Sequence, residues 1–165
     1  MNNEIDFYID TEFENIYDFD CGFVVFNDYL KKHMPKDNAV FHYIINAENN
    51  ELIAYFSLLA SAVLFGKVNN FNSVPAIELK MFAVDKKYQK RNLSIGLVED
   101  ITDLMREYSL EYVGADVLIL YSVPEEKVVK MYENCGFNIL PEEYSMYKSY
   151  FNKGCIPMYK PISKT

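Results

Sequence analysis

The sequence predicts an α/β fold of the α+β kind, a mixed, mostly antiparallel twisted sheet flanked by helices, and three observations carry that expectation. Runs rich in β-branched and aromatic residues recur at 39–46, 52–62, 77–84 and 117–123, each bounded by turn-forming residues. Two segments behind the later runs place apolar residues at helical spacing, which supplies two helix crossovers. No repeat, linker or low-complexity stretch divides the 165 residues, so a single domain over 1–165 is expected.

The elements follow in order. An opening strand precedes a short helix over 22–33, where Phe23, Phe26, Tyr29 and Leu30 share a face, Asp20 is placed to cap and Pro35 to stop it. Ala39–Asn46 and Leu52–Ala62 form a hairpin across the turn Ala47-Glu-Asn-Asn-Glu, and Gly66–Pro75 reads as a link to the strand 77–84. Leu97, Ile101, Leu104, Met105 and Tyr108 define one amphipathic helix face. Val117–Val123 is a continuous apolar run, as for a strand covered on both faces, and Pro124 is expected in the first turn of the next helix, which Gly136 ends. A strand from Phe137, an aromatic connection through Tyr144, Tyr147, Tyr150 and Phe151, and a final strand near 156–161 complete the chain. That connection either shapes a substrate pocket or makes a homodimer contact.

Composition narrows function. Half of the residues are apolar and 16% aromatic, enough for a core of ordinary size. A formal charge of −8 argues against a protein whose main surface binds nucleic acid. Cys21, Cys135 and Cys155 lack the paired spacing of a zinc site, and His33 and His42 stand apart from any metal-ligand or nucleophile pattern. A reduced cytoplasmic protein without metal is expected; the acidic N-terminus lacks the order of a secretion signal, and no apolar run approaches a membrane span.

The most informative stretch is 77–96. An apolar strand runs into Asp85, then a loop carrying Lys86, Lys87, Lys90 and Arg91, then Asn92-Leu93-Ser94-Ile95-Gly96 at the start of a helix. Helix N-termini present unpaired N–H groups and positive dipole to anions, so loop and helix together read as a phosphate cradle.

Two motifs in order carry a family resemblance: Phe82-Ala83-Val84-Asp85 followed by Gln89-Lys90-Arg91-Asn92-Leu93-Ser94, and Tyr132-Glu133-Asn134-Cys135-Gly136-Phe137. They resemble the Gln/Arg-x-x-Gly-x-Gly/Ala and Tyr-x-x-x-Gly-Phe motifs of the GNAT superfamily of acyl-CoA-dependent N-acyltransferases. The resemblance implies acetyl-CoA as co-substrate, an amine of a small molecule or protein as acceptor, and a cofactor site built from Phe82, Ala83, Val84, Gln89, Lys90, Arg91, Asn92, Leu93 and Ser94. It also implies Tyr132 as the acid that protonates the departing thiolate. Asn92 and Ser94 replace the motif's glycines; Asn tolerates left-handed backbone angles, and Ser94 either crowds the pyrophosphate or donates to it.

For the base, Glu78 lies on the strand before the loop with the parity of Lys80, Phe82 and Val84; it acts through a water, or is a solvated carboxylate or a partner for Lys80. Phe19-Asp20-Cys21-Gly22, Tyr29-Leu30, Pro75, Leu79 and Pro157-Met158 are similar to a subset of the family that includes the acetylating toxins of toxin–antitoxin pairs. That subset implies aminoacyl-tRNA as an alternative acceptor and a cognate antitoxin as partner. A third reading is a non-catalytic acyl-CoA-binding domain that kept the fold. The amine acetyltransferase ranks first, because the chain is short of cations for a tRNA surface.

Overall fold

The computed structural model describes residues 5–32, 38–67, 70–89, 92–146 and 153–162. The elements are β1 (Phe7–Asp10), α1 (Val24–Lys31), β2 (Val40–Asn46), β3 (Leu52–Lys67), β4 (Asn70–Val84), α2 (Lys86–Gln89), α3 (Leu93–Tyr108) with a π-helical turn at Ser109–Val113, β5 (Val117–Ser122), α4 (Glu126–Asn134), β6 (Asn138–Ile139), β7 (Tyr144–Met146) and β8 (Ile156–Pro161). The hydrogen-bonded strand order is β1-β2-β3-β4-β5-β8-β6, with β7 on β3. This is the mixed, mostly antiparallel open sheet with helices that the sequence predicts. Among the described residues no helix is long and apolar enough to cross a membrane.

The chain falls into two compact units, which share β3 and β4. The first comprises Met1–Leu59 and Lys80–Ser94. Here β1 pairs antiparallel with β2 from Phe7↔Asn46 to Asp10↔Tyr43, and β2 with β3 from Val40↔Leu58 to Ile44↔Ala54. The hairpin turn closes through Asn50, whose φ of 58° is left-handed, with the Asn50 amide donating to the Asn46 carbonyl at 2.9 Å. Tyr29 and Leu30 of α1 bury against Phe19, Tyr43, Tyr55 and, from β4, Met81 and Ala83. Each such fully buried side chain contributes about 1.5–3 kcal/mol. Tyr55 is satisfied inside this cluster by donating its hydroxyl to the Phe26 carbonyl at 2.7 Å.

The start of α1 corrects an expectation. Phe23, in an extended conformation, is the residue before the helix, and Asp20 does not cap it. The Asp20 carboxylate instead accepts from the Gly22 amide and from Asn27 Nδ2, both at 2.8 Å, and so shapes the turn ahead of the helix.

The second unit comprises Ala60–Leu79 and Ile95–Thr165. β4 and β5 pair parallel from Ala76↔Val117 to Leu79↔Leu120, β5 pairs antiparallel with β8 from Val117↔Pro161 to Ser122↔Ile156, and β6 adds outside β8. Leu97, Val98, Ile101 and Met105 bury the inner face of α3, while Leu104 and Tyr108 sit half-buried at its border. Gly114, at φ 71°, ends the π-helical turn by donating to the Ser109 carbonyl at 2.7 Å.

Two boundaries differ from the sequence expectation. Among the described residues of 66–75, Gly66 and Lys67 continue β3 and 70–75 open β4, and β7, from far along the chain, pairs with β3 at Val63↔Met146 and Phe65↔Tyr144. Tyr144 of the aromatic connection therefore packs on Phe65, ring centroids 5.7 Å apart, whereas Tyr147, Tyr150 and Phe151 lie outside the described residues, as do His33 and Pro35. Pro124 stands before α4 rather than in its first turn: the Glu125 carbonyl takes the first helical bonds, from Val128 at 2.9 Å and Val129 at 3.0 Å.

His42 makes stability in the first unit dependent on pH. It is 2% exposed, stacks on Phe56 at 4.7 Å, and burial lowers the pKa of its imidazole. The unfolded chain therefore takes up this proton first. The contribution is intact above about pH 6.5 and is lost as pH falls toward the lower folded-state pKa, with a slope of up to about 1.4 kcal/mol per pH unit. Urea unfolding at pH 7 and pH 5.5 should show this loss, and His42→Phe, which keeps the stack, should remove that component; an unchanged pH dependence in the variant would contradict the assignment.

Candidate active site

The end of β4 is held by a polar knot, all within the first unit. Asp85, 4% exposed, terminates the strand with its amide donating to the Ile53 carbonyl at 2.9 Å. One carboxylate oxygen accepts from the Lys87 amide at 2.9 Å, which starts the single helical turn α2, and the other accepts from the Asp20 amide at 2.9 Å. The Lys86 amide donates back to the Asp20 carbonyl at 2.9 Å. Gln89 Nε2 donates to both the Cys21 and Val84 carbonyls at 2.8 Å, so this side chain braces the loop against the strand and against the turn before α1.

Both cations of the loop among the described residues are paired within the chain. Lys86 Nζ meets Asp20 Oδ2 at 2.8 Å and Lys87 Nζ meets Glu51 Oε1 at 3.4 Å. The Lys86 ammonium, ahead of Asn27 and the Gly22 amide, holds the Asp20 carboxyl well below the usual carboxylate range. Lys90 and Arg91 lie outside the described residues. Beyond them Asn92 has a φ of 53°, the left-handed turn that its amide side chain tolerates, and Leu93 and Ser94 open α3 with Ser94 half-buried. The first-turn amides of an α-helix have no acceptor within the helix, which makes the start of α3 a place suited to an anion.

Along β4, Ala83 and Val84 are buried and Phe82 half-buried, with Ala83 in the core cluster of the first unit. The register of β4 with β5 covers Ala76–Leu79, and the strand runs on to Val84 beyond it.

In the second unit Glu78 is 1% exposed. It faces Ile119 in register and shares the parity of Ala76, which packs in a cluster with Ile119, Leu140 and Met146. A solvated strand carboxylate is thereby excluded. Half-buried Tyr121 lies two residues along β5 from Ile119, and burial, then the Glu78 charge, then Cys155 push its phenol up to about 12.

Tyr132 is buried on α4, its ring edge-on to Phe137 at 6.0 Å, and burial raises its phenol pKa strongly. Gly136, at φ 89°, lets the chain turn back so that the Phe137 amide donates to the Tyr132 carbonyl at 3.1 Å. A Cβ there would meet Lys160 Cε at 3.2 Å, and Lys160 Nζ donates to the Cys135 carbonyl at 2.9 Å, capping the helix. The Tyr-x-x-x-Gly-Phe spacing is thus one helix end with a buried phenol on its last turn.

Sequence reasoning offered Asp20 only as a helix cap and within the subset resemblance, and missed its tie to the loop together with Asn27 and Tyr121. Asp20 and Asn27 act on a loop distant in sequence, and only the Asp-x-Gly turn hinted at them; nothing marked Tyr121 among 14 tyrosines. Among the described residues no group of three or more His, Cys, Asp or Glu side chains is placed to hold a metal ion.

The model of the acetyltransferase (GNAT) family matches residues 6–137. No curated protein matches the chain. Among solved structures, a Tyr-to-Phe mutant of the AtaT toxin bound to the C-terminus of the antitoxin AtaR and acetyl-CoA aligns with a TM-score of 0.70 at 19% identity, over 95% of this chain and 94% of that one. The KacTA–DNA complex aligns with a TM-score of 0.69 at 22% identity, over 95% and 94% of the two chains. AtaT complexed with acetyl-methionyl-tRNAfMet aligns at 0.67 and 20% identity, over 94% and 95%. These likenesses show the same fold, and the family match spans most of the sequence: the chain belongs to the GNAT family of acetyltransferases.

Proposed function

We propose that the protein transfers the acetyl group of acetyl-CoA to a primary amine of a small molecule or protein, with Tyr132 as general acid. The observation that carries this is the buried phenol on the last turn of α4, within the spacing that the family match covers up to Phe137. The amine nitrogen attacks the thioester carbonyl, the C–S bond breaks, and the thiolate takes the phenol's proton. A free phenol near pKa 10 holds its proton more tightly than a thiol near 8.5, and burial strengthens the hold on the proton in Tyr132. The phenol thus stays protonated in the resting site, and its proton moves only as the C–S bond breaks and negative charge develops on sulfur.

Asn92, Leu93 and Ser94 would hold the pyrophosphate through their amides, with Lys90 and Arg91 as further donors. Their fit is supported by the left-handed turn at Asn92 and by the small side chain of Ser94. Main-chain groups of Phe82–Val84, beyond the register with β5, suit the amides of the pantetheine arm. Glu78, buried near Tyr121, is the base that removes the amine proton. With Lys86 and Lys87 paired to Asp20 and Glu51, a net charge of −8 favours a cationic acceptor such as a polyamine or a Lys-rich segment.

A second reading, acetylation of the amino group of aminoacyl-tRNA by a toxin held by an antitoxin, is favoured by one observation. AtaT and KacT structures match the fold over about nineteen-twentieths of the chain, and one of them carries acetyl-methionyl-tRNAfMet. The pairing of Lys86 and Lys87, two of the loop's four cations, weighs against a surface for several tRNA phosphates. Side-by-side assays with spermidine, a Lys-rich peptide and charged tRNA separate the two readings.

Tyr132→Phe should lower kcat by about 100- to 10,000-fold while leaving the acetyl-CoA KM within about threefold, read from release of the CoA thiol. An unchanged kcat would remove Tyr132 from the chemistry. Asn92→Gly should bind acetyl-CoA within about threefold of wild type, whereas Asn92→Val, unable to keep φ positive, should lose about tenfold or more in a thermal-shift titration. Equal affinities in both variants would contradict the role of that turn.

A further inference from the structure

We propose that Asp20 is a positioning residue for acetyl-CoA: it acts from the turn ahead of α1 to fix the loop whose amides receive the pyrophosphate. The inference rests on the reading of that loop given above and goes beyond it, because Asp20 belongs to neither family motif.

The Asp20 main chain and side chain engage the loop separately. Its amide donates to Asp85 Oδ2 and its carbonyl accepts from the Lys86 amide, both at 2.9 Å, so the turn and the loop are joined backbone to strand end. Its carboxylate shapes the turn itself. Oδ1 accepts from the Gly22 amide and Asn27 Nδ2 at 2.8 Å, and Asn27 Oδ1 accepts from the Cys21 amide at 3.0 Å. That arrangement points the Cys21 carbonyl at Gln89 Nε2, 2.8 Å away, while Oδ2 holds Lys86 Nζ. Removing the carboxylate therefore loosens the loop at both ends of α2.

Gly22 belongs to the same device. Its φ is 92°, and a Cβ added there would lie 3.1 Å from Lys86 Cε. The turn lies close against Lys86, and the left-handed backbone at Gly22 would be strained by any side chain. A loop held in this way is ordered before the ligand arrives; a loosened one must be ordered by the ligand, and affinity falls by the population that is misplaced.

The test uses the full chain and acetyl-CoA as probe. Asp20→Ala should raise the calorimetric Kd for acetyl-CoA about tenfold or more, speed hydrogen exchange at the Lys86 and Gln89 amides, and leave protection of the β5 amides unchanged. Asp20→Asn, which keeps an acceptor for Gly22 and Asn27, should stay within about threefold of wild type. Gly22→Ala presses on Lys86 from the same side and should weaken binding in the same sense, which gives an independent readout if Asp20→Ala folds poorly. A folded Asp20→Ala that binds acetyl-CoA within about twofold of wild type overturns the inference, and so does loss of affinity accompanied by uniform loss of protection through β5. Absence of acetyl-CoA binding by the wild type would instead remove the reading of the loop, and this inference with it.

Discussion

Asp85 is the point on which the first unit depends. It ends a strand, starts a helical turn and binds a distant turn through three separate groups, all while 4% exposed. A buried carboxylate is tolerated because main-chain N–H groups satisfy both of its oxygens, and hydrogen bonds to a charged acceptor are among the stronger ones a protein makes. Replacing it would leave the Asp20 and Lys87 amides seeking partners in a region that excludes water. The helical turn α2 inherits its position from this residue.

The second unit holds two ionisable side chains away from water. Glu78 and Tyr132 are both nearly inaccessible, one on a central strand and one on the last turn of a helix. Burial acts on the phenol by discouraging ionisation, so Tyr132 remains a proton donor throughout the neutral range. Lys160 and Gly136 complete the helix end, which explains why glycine rather than another residue follows Cys135. In the first unit the electrostatics are local: a strongly acidic chain assigns two of its loop cations to its own carboxylates.

Much of this was legible in the sequence, and the exceptions have physical causes. The strand, loop and helix around Asp85 and the helix end at Gly136 could be read because their signals are contiguous: periodicity, a turn residue, a motif of fixed spacing. Asn92 could be read as a left-handed position because few other residues adopt that conformation, and its φ of 53° agrees. The role of Asp20 could not, since an aspartate ahead of a helix is the ordinary cap signal and the sequence carries no mark that its partners are Asp85 and Lys86. The same limit hid the pairing of β3 with β7, which joins Val63–Phe65 to a segment far along the chain, and the use of Gln89, whose amide is directed to carbonyls of the chain itself.

The central claim is that the loop and helix start at Asn92–Ser94 receive the phosphates of acetyl-CoA. It is tested most directly by titrating acetyl-CoA into the isotope-labelled full chain and following the backbone amide resonances. The account predicts saturable shifts at Asn92, Leu93 and Ser94 while the hairpin turn at Asn50 stays still. Binding that leaves those three amides unmoved, or no binding at all, would contradict it.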